Sequence, residues 1–243
     1  MRLTVMRIAV IFAGNMNEII TTTARLEELA RRDIESRERT IWAVVGCAGS
    51  GKTTLTYRLE ETLAGSYGAG VARRVGMGGF HLANRILEER GKIKNKGDID
   101  TFDAYGMLSM LQRFPSEQGH SLYFPLYDRV AAHQAVAGAI EVTSGCRLLL
   151  VEGLWLLAAD PGWREMRQLF QRTFHVYLNQ DTRLERLRAR HLATDNAQSP
   201  ELIDEHLAFD AARDPDVLDS MGKADYLVVL DDDGSPKTSL TFD

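Results

Sequence analysis

Short apolar runs alternate along the chain with stretches whose apolar residues recur every three or four positions. Thr40–Val45, rich in β-branched and aromatic side chains, predicts a buried strand and Arg147–Val151 a strongly apolar one, and Val71–Met77, Thr173–Leu178 and Tyr226–Leu230 predict further strands. Residues 17–36 carry Ile19, Ile20, Leu26, Leu29, Ala30 and Ile34 at roughly helical spacing and predict a helix. Lys52–Leu63, Asp103–Phe114, Trp163–Phe170 and Asp181–Leu192 predict further helices, and Pro200–Leu218 a helix broken near Pro215. Strands and helices in alternation imply an α/β fold: a doubly wound, mainly parallel sheet with helices on both faces.

There is no internal repeat, and with only 6 prolines no Gly/Ser/Pro-rich linker divides the chain. Residues 1–39 read as an N-terminal extension and helix, and 40–243 as one domain. The least regular stretch, about 79–127, reads as a substrate-binding insertion. From Asp231 onward the chain is a polar tail.

Composition narrows the class. A 243-residue chain that is 44% hydrophobic has enough apolar material for a packed core, which excludes a disordered or collagen-like chain. The net charge of −5 argues against a nucleic-acid partner, which requires a basic footprint, but leaves room for a local basic pocket. Cys47 and Cys146 form neither a disulfide framework nor a zinc-binding pair, so a reducing, cytoplasmic setting is expected. No run reaches the ~20 apolar residues of a membrane span, and Glu152 interrupts the nearest, Leu148–Leu157. Met1–Gly14 reads basic then apolar. An extra strand, or a start at Met16, fits it better than a signal peptide, because the apolar run is short and no clear cleavage site follows.

Gly46-Cys47-Ala48-Gly49-Ser50-Gly51-Lys52-Thr53 matches G-x-x-x-x-G-K-[ST] at every fixed position, between a predicted strand and a predicted helix. Glycines let the backbone fold tightly and turn its N–H groups toward phosphate oxygens, and the following helix adds its positive end. Residues 46–52 with Thr53 and Thr54 are the expected nucleotide cradle. Lys52 is placed to reach the β- and γ-phosphates and Thr53 to ligate Mg²⁺. Cys47 reads as a small filler rather than a reactive thiol. Leu148-Leu149-Leu150-Val151-Glu152-Gly153 ends an apolar strand in a carboxylate, which puts Glu152 at the edge of the sheet where ligands bind, as a second Mg²⁺ ligand. Alternatively Glu152 is a salt-bridging strand end. In the arginine-rich helix, Arg186 and Arg190 are spaced i, i+4 and share a face suited to a triphosphate. Taken alone, that helix also reads as a solvated basic face paired with acids such as Glu185.

With these stand Met77-Gly78-Gly79-Phe80-His81-Leu82, Asn84-Arg85, Lys96-Gly97, Thr101-Phe102-Asp103 and Pro125-Leu126-Tyr127-Asp128-Arg129. In this order, from about Thr40 to Leu230, the chain resembles the uridine kinase, phosphoribulokinase and bacterial pantothenate kinase superfamily of P-loop kinases. It is most similar to the nucleoside/nucleotide-kinase-like and fructose-kinase-like branch. The resemblance implies transfer of a phosphoryl group from ATP, with Mg²⁺, to a hydroxyl of a small metabolite such as a nucleoside, a sugar or pantothenate. It implies catalytic roles for Lys52, Glu152, Arg186 and Arg190, with a lid over about 186–205. It further implies an acceptor pocket lined by Phe80, His81, Asp103, Tyr127 and Arg129, and leaves a homodimer open. Phe80 and Tyr127 read equally well as core residues, and Asp103 as a helix cap. Trp155 and Leu156 are expected beneath the lid.

One position departs from the family pattern: Gly78 stands where the expected general base, an aspartate, belongs. Phosphoryl transfer relies mainly on positioning and charge neutralisation, so a slowed reaction is expected rather than none. Asp98, Asp100 and Glu152 are candidate replacements. The rival readings are an ATP-binding regulatory protein without turnover, favoured by Gly78, and a GTPase, since Asn95-Lys96-Gly97-Asp98 spells N-K-x-D. The GTPase reading suffers because that motif follows the phosphate loop too closely and no switch segment is apparent. A lone His81 is more often structural than functional. His175 reads as structural, and His120 and His133 lack metal-ligand spacing.

Overall fold

Every residue of strand β2 (Thr40–Val45) is buried, as a strand flanked on both edges and both faces must be. The protein, seen here as a computed structural model, is described over residues 18–36, 39–129, 133–194, 199–231 and 235–236; the expectations for Met1–Gly14 lie outside them. β2 joins β1 (Glu18–Ile20), β3 (Ala72–Gly76), β6 (Leu148–Gly153), β7 (Arg172–Tyr177) and β8 (Tyr226–Val229) in one six-stranded sheet. Their order is β1-β8-β7-β2-β6-β3, and every pairing is parallel. This is the expected α/β architecture.

Side chains of β2 alternate between two cores. Ile41, Ala43 and Val45 pack with α4 (Ala104–Ser116), α5 (Trp163–Met166) and α8 (Asp214–Asp219). Trp42 and Val44 face the opposite core, with α1 (Thr23–Ser36) and α2 (Lys52–Tyr67). Beneath α1, buried Asp33 accepts a hydrogen bond from Trp42 Nε1 (2.8 Å) and two from Arg172 (2.8 and 2.9 Å). Arg172 also donates to the Tyr226 hydroxyl (2.8 Å), so one carboxylate ties α1 to β2, β7 and β8.

Three local expectations change. Ile19 and Ile20 belong to β1, not to a helix, because Glu18–Ile20 pairs along the edge of β8 and buries Ile20 there. An adjacent apolar pair fits either periodicity, and the tertiary pairing decides. The stretch expected to be irregular contains β4 (Leu122–Asp128), which pairs with β5 (Gln134–Val142) as an antiparallel hairpin. Pro125 hides the strand in the sequence; the ladder absorbs it at a register shift between Phe124 and Leu126. The break between α7 (Pro200–Ala212) and α8 falls at Arg213, with Pro215 in the first turn of α8, where its missing N–H leaves nothing unpaired. The insertion also contains α3 (Asn84–Glu89), and the arginine helix is α6 (Gln180–Thr194). Among the described residues no helix is long and apolar enough to cross a membrane.

Candidate active site

Between β2 and α2 the chain folds into a loop that side chains would block. A Cβ on Gly46 would overlap the Val176 carbonyl. Gly49 and Gly51 hold φ of +76° and +94°, and a Cβ on either would come within 2.7 Å of Leu187 and Leu230 respectively. These contacts seat the loop between β7, α6 and the end of β8. Cys47 is buried, and desolvation together with the Asp214 carboxylate pushes its thiol up to about 12, so it stays an inert filler as expected. Ser50 is buried and Thr54 exposed.

Lys52 opens α2 and turns its ammonium back onto the loop, donating to the carbonyls of Gly46 (2.7 Å) and Cys47 (2.8 Å). Desolvation there brings its pKa down to about 8, and the nearby positive charges of Arg190 and Arg183 act in the same direction; Glu152 opposes them. The parallel register places Glu152 opposite Val44 of β2 on one side and Gly76 of β3 on the other. Its Oε1 accepts a hydrogen bond from the Thr53 hydroxyl (3.0 Å), and its Oε2 lies 3.3 Å from Thr56 Oγ1. Sequence reading missed Thr56, which sits one helical turn behind Lys52. A hydroxyl and a carboxylate are the hard oxygen donors that Mg²⁺ prefers, and it completes its shell from phosphate and water. Among the described residues no group of three or more His, Cys, Asp or Glu side chains offers a softer metal a cage. The donor set therefore fits Mg²⁺.

α6 closes over the loop. Arg186 Nη1 lies 3.9 Å from where a Gly51 Cβ would stand, which brings it to the loop, and the positive charge of Arg190 is felt by Lys52. Arg188 points elsewhere, into an exposed pair with Asp204. Arg183 is buried, donates to the Ala48 carbonyl (2.9 Å) and pairs with buried Asp214. Nothing local in the sequence marks that pair, since its partners lie 31 residues apart.

The second group of predicted residues gathers beyond β3. The 3₁₀ turn Met77–Phe80 packs so tightly on β4 that a Cβ on Gly79 would overlap the Pro125 carbonyl. Phe80 is buried in the core with Met77, Phe102 and Trp155. Asp103 caps α4, accepting from the Gly106 N–H (2.8 Å). His81 is half-buried, its Nδ1 2.8 Å from the Gly78 carbonyl and its ring 4.0 Å from Phe102 and 4.9 Å from Tyr127. Burial lowers its pKa to about 4, with Lys96, Arg129 and Arg213 adding repulsion, so the imidazole is neutral at physiological pH. Exposed Arg129 lies over the Tyr127 ring at 5.4 Å.

Of the candidate acids, Asp98 is taken by Arg213 Nε (2.7 Å) and Asp100 by Lys92 (2.8 Å). The N-K-x-D stretch is clamped between Arg213 and Trp155, whose Nε1 donates to the Gly97 carbonyl (3.0 Å). Trp155 thus braces the insertion as well as the core. His175 is buried and neutral, lowered to about 4 by desolvation, and packs as a structural residue.

No family model matches the chain. It is similar to the crystal structure of a candidate fructose transport system kinase from Silicibacter sp. TM1040, with 32% identity, a TM-score of 0.72, and coverage of 85% of this chain and 98% of that one. It is 28% identical over 178 residues to a candidate uridine kinase of Schizosaccharomyces pombe, covering 69% of this chain and 74% of the relative. It is also 28% identical over 171 residues to the pantothenate kinase of Leifsonia xyli, of which it spans about half (52%).

Proposed function

We propose, for a chain that belongs to the P-loop kinases of the uridine kinase and fructose kinase type, that it moves the γ-phosphoryl of Mg-ATP to a hydroxyl of a small metabolite. The observation that carries this reading is the Thr53 hydroxyl on the Glu152 carboxylate at 3.0 Å, beside an ammonium held at the mouth of the loop. Thr53 and Glu152 would hold Mg²⁺, which when bound offsets negative charge on the phosphate oxygens. Lys52 leaves its two loop carbonyls for phosphate oxygens, gaining a charged partner for neutral ones. Backbone N–H groups from Gly46 to Thr54 line the cradle. Arg186 and Arg190 neutralise the transferring group, a service worth ~10³–10⁵ in rate for an arginine finger. The segment about 186–205 acts as the lid.

On the acceptor side, Phe80 forms the floor, Asp103 fixes the start of α4, and His81, Tyr127 and Arg129 face the substrate. Gly78 supplies no carboxylate, and the acids at 98 and 100 are engaged in ion pairs. The reaction therefore runs on positioning and charge neutralisation and is slow. Free, buried Cys47 and Cys146 agree with a reducing, cytoplasmic setting.

Calorimetry with Mg-ATP and ADP release against nucleosides, pantothenate and sugars test the reading together. Lys52→Met and Glu152→Gln are expected to weaken nucleotide binding or abolish turnover. Absence of any heat with Mg-ATP would sink it. A second reading, nucleotide binding without turnover, is favoured by Gly78; tight binding with no ADP release for any acceptor selects it.

A further inference from the structure

Beside His81 stand two cations, Lys96 and Arg129, with no counter-charge among the described residues. The Lys96 ammonium donates to Asn84 Oδ1 (2.6 Å) and to the His133 carbonyl (2.7 Å), both neutral, which leaves the third of its N–H groups. Arg129 lies over the Tyr127 ring face. No carboxylate among the described residues pairs with either. Both cations lie over the same ring, Lys96 at 4.8 Å and Arg129 at 5.4 Å, and His81 stacks against it at 4.9 Å.

The neighbouring cations are treated differently. Arg213 is balanced by Asp98 and Asp210, and Lys92 by Asp100. The His133 carbonyl also accepts from the Tyr127 hydroxyl (2.9 Å), and His133 holds φ of +47°, an uncommon conformation for a residue with a side chain. The backbone is thus bent to fix Lys96 and Tyr127 together. A half-buried ammonium with only neutral partners is unfavourable, and a ring face offsets only part of a missing counter-ion.

We propose that Lys96 and Arg129 bind a negatively charged group of the acceptor, a carboxylate or a phosphate, against the face of Tyr127. The substrate class is then a hydroxy acid or a sugar phosphate rather than a neutral nucleoside or free sugar. This deepens the kinase reading and rests on it. The low basicity of His81 agrees: beyond its burial, the repulsion it feels comes from Lys96, Arg129 and Arg213, so these charges lie around one ring.

Two measurements test it. In the first, inorganic phosphate is titrated into the chain with its cradle filled by Mg²⁺ and a non-hydrolysable ATP analogue, and again into Lys52→Met, where the result does not depend on nucleotide. Binding is expected in both. It should weaken ~10–100-fold in Lys96→Met and in Arg129→Met, the loss typical of a charge-assisted hydrogen bond, and be largely kept in Lys96→Arg. Thermal unfolding of each variant checks the fold. In the second, ADP release compares glycerate with glycerol, pantothenate with pantothenol, and fructose 6-phosphate with fructose. The charged member of a pair should win by at least tenfold in kcat/KM, and which pair responds separates carboxylate from phosphate. Phosphate binding that is absent, or unchanged in the Lys96→Met/Arg129→Met double variant, overturns the proposal, as does equal use of neutral and charged members. Failure of Mg-ATP to bind is read separately, and it sinks the nucleotide reading rather than this one.

Discussion

An aspartate introduced at position 78 should raise turnover, and the structure shows that the turn has room for it. Gly78 lies in the 3₁₀ turn Met77–Phe80 without a positive φ, so a side chain meets no backbone strain there. Its Cβ would stand 3.2 Å from Tyr127 Cβ, and Tyr127 must give by a few tenths of an ångström. That is mild overpacking, about 1 kcal/mol. A positioned general base contributes ~10²–10⁴ in rate, or about 3–5 kcal/mol at roughly 1.4 kcal/mol per tenfold. The overpacking is felt by the stability of the fold and not by the barrier, so kcat for Gly78→Asp should rise ~10²-fold or more. Steady-state ADP release with Mg-ATP against the acceptor panel measures it. Gly78→Asn is the control, with the same crowding of Tyr127 and no base. If the aspartate and asparagine variants turn over equally with every acceptor, the base argument fails. A displaced Tyr127 would raise KM for the acceptor instead, so the split between kcat and KM separates the two effects.

Two further outcomes follow from ionisable groups. Lys52 has its pKa lowered to about 8 from 10.5, so the unfolded chain binds more protons than the native one between those values, and stability of the nucleotide-free protein should rise with pH across that window. Polyphosphate draws the pKa back up, so Mg-ATP binding near pH 8.5 should take up a proton. Calorimetry in buffers of different ionisation enthalpy reads this, and an equal uptake by Lys52→Met would count against it. Asp33→Ala should cost about 3 kcal/mol in urea unfolding, because it strands the half-buried Arg172 guanidinium and the buried Trp42 N–H. The pairs of Glu28 are exposed and screened by water, so removing Glu28 should cost far less, and a comparable loss would refute the distinction.

The parts of the molecule that sequence revealed are those whose signal is local. The sheet strands β2, β6 and β8 were legible because a strand buried on both faces is a largely continuous apolar run; β3 and β7 carry shorter apolar stretches interrupted by Arg73, Arg74 and His175. The phosphate loop was legible because its glycines answer to backbone geometry within one turn. Strand β1 was not, since three residues carry no periodicity of their own. The hairpin was not, since Pro125 argues against a strand until a register shift accommodates it.

Sequence alone determined the chemistry available: a glycine loop ending in Lys52 and Thr53, a carboxylate closing an apolar strand, arginines one helical turn apart, and no acid at position 78. Tertiary structure decided which of these groups meet. The parallel register of β2 and β6 sets Glu152 against Thr53. Packing across 31 residues buries Arg183 with Asp214 beneath the loop. The folding of the insertion brings Lys96 and Arg129 to one aromatic face. Spacing along a chain reports neighbours within a turn or a strand, whereas charge compensation depends on distance in space, which only the packed sheet and its crossings define.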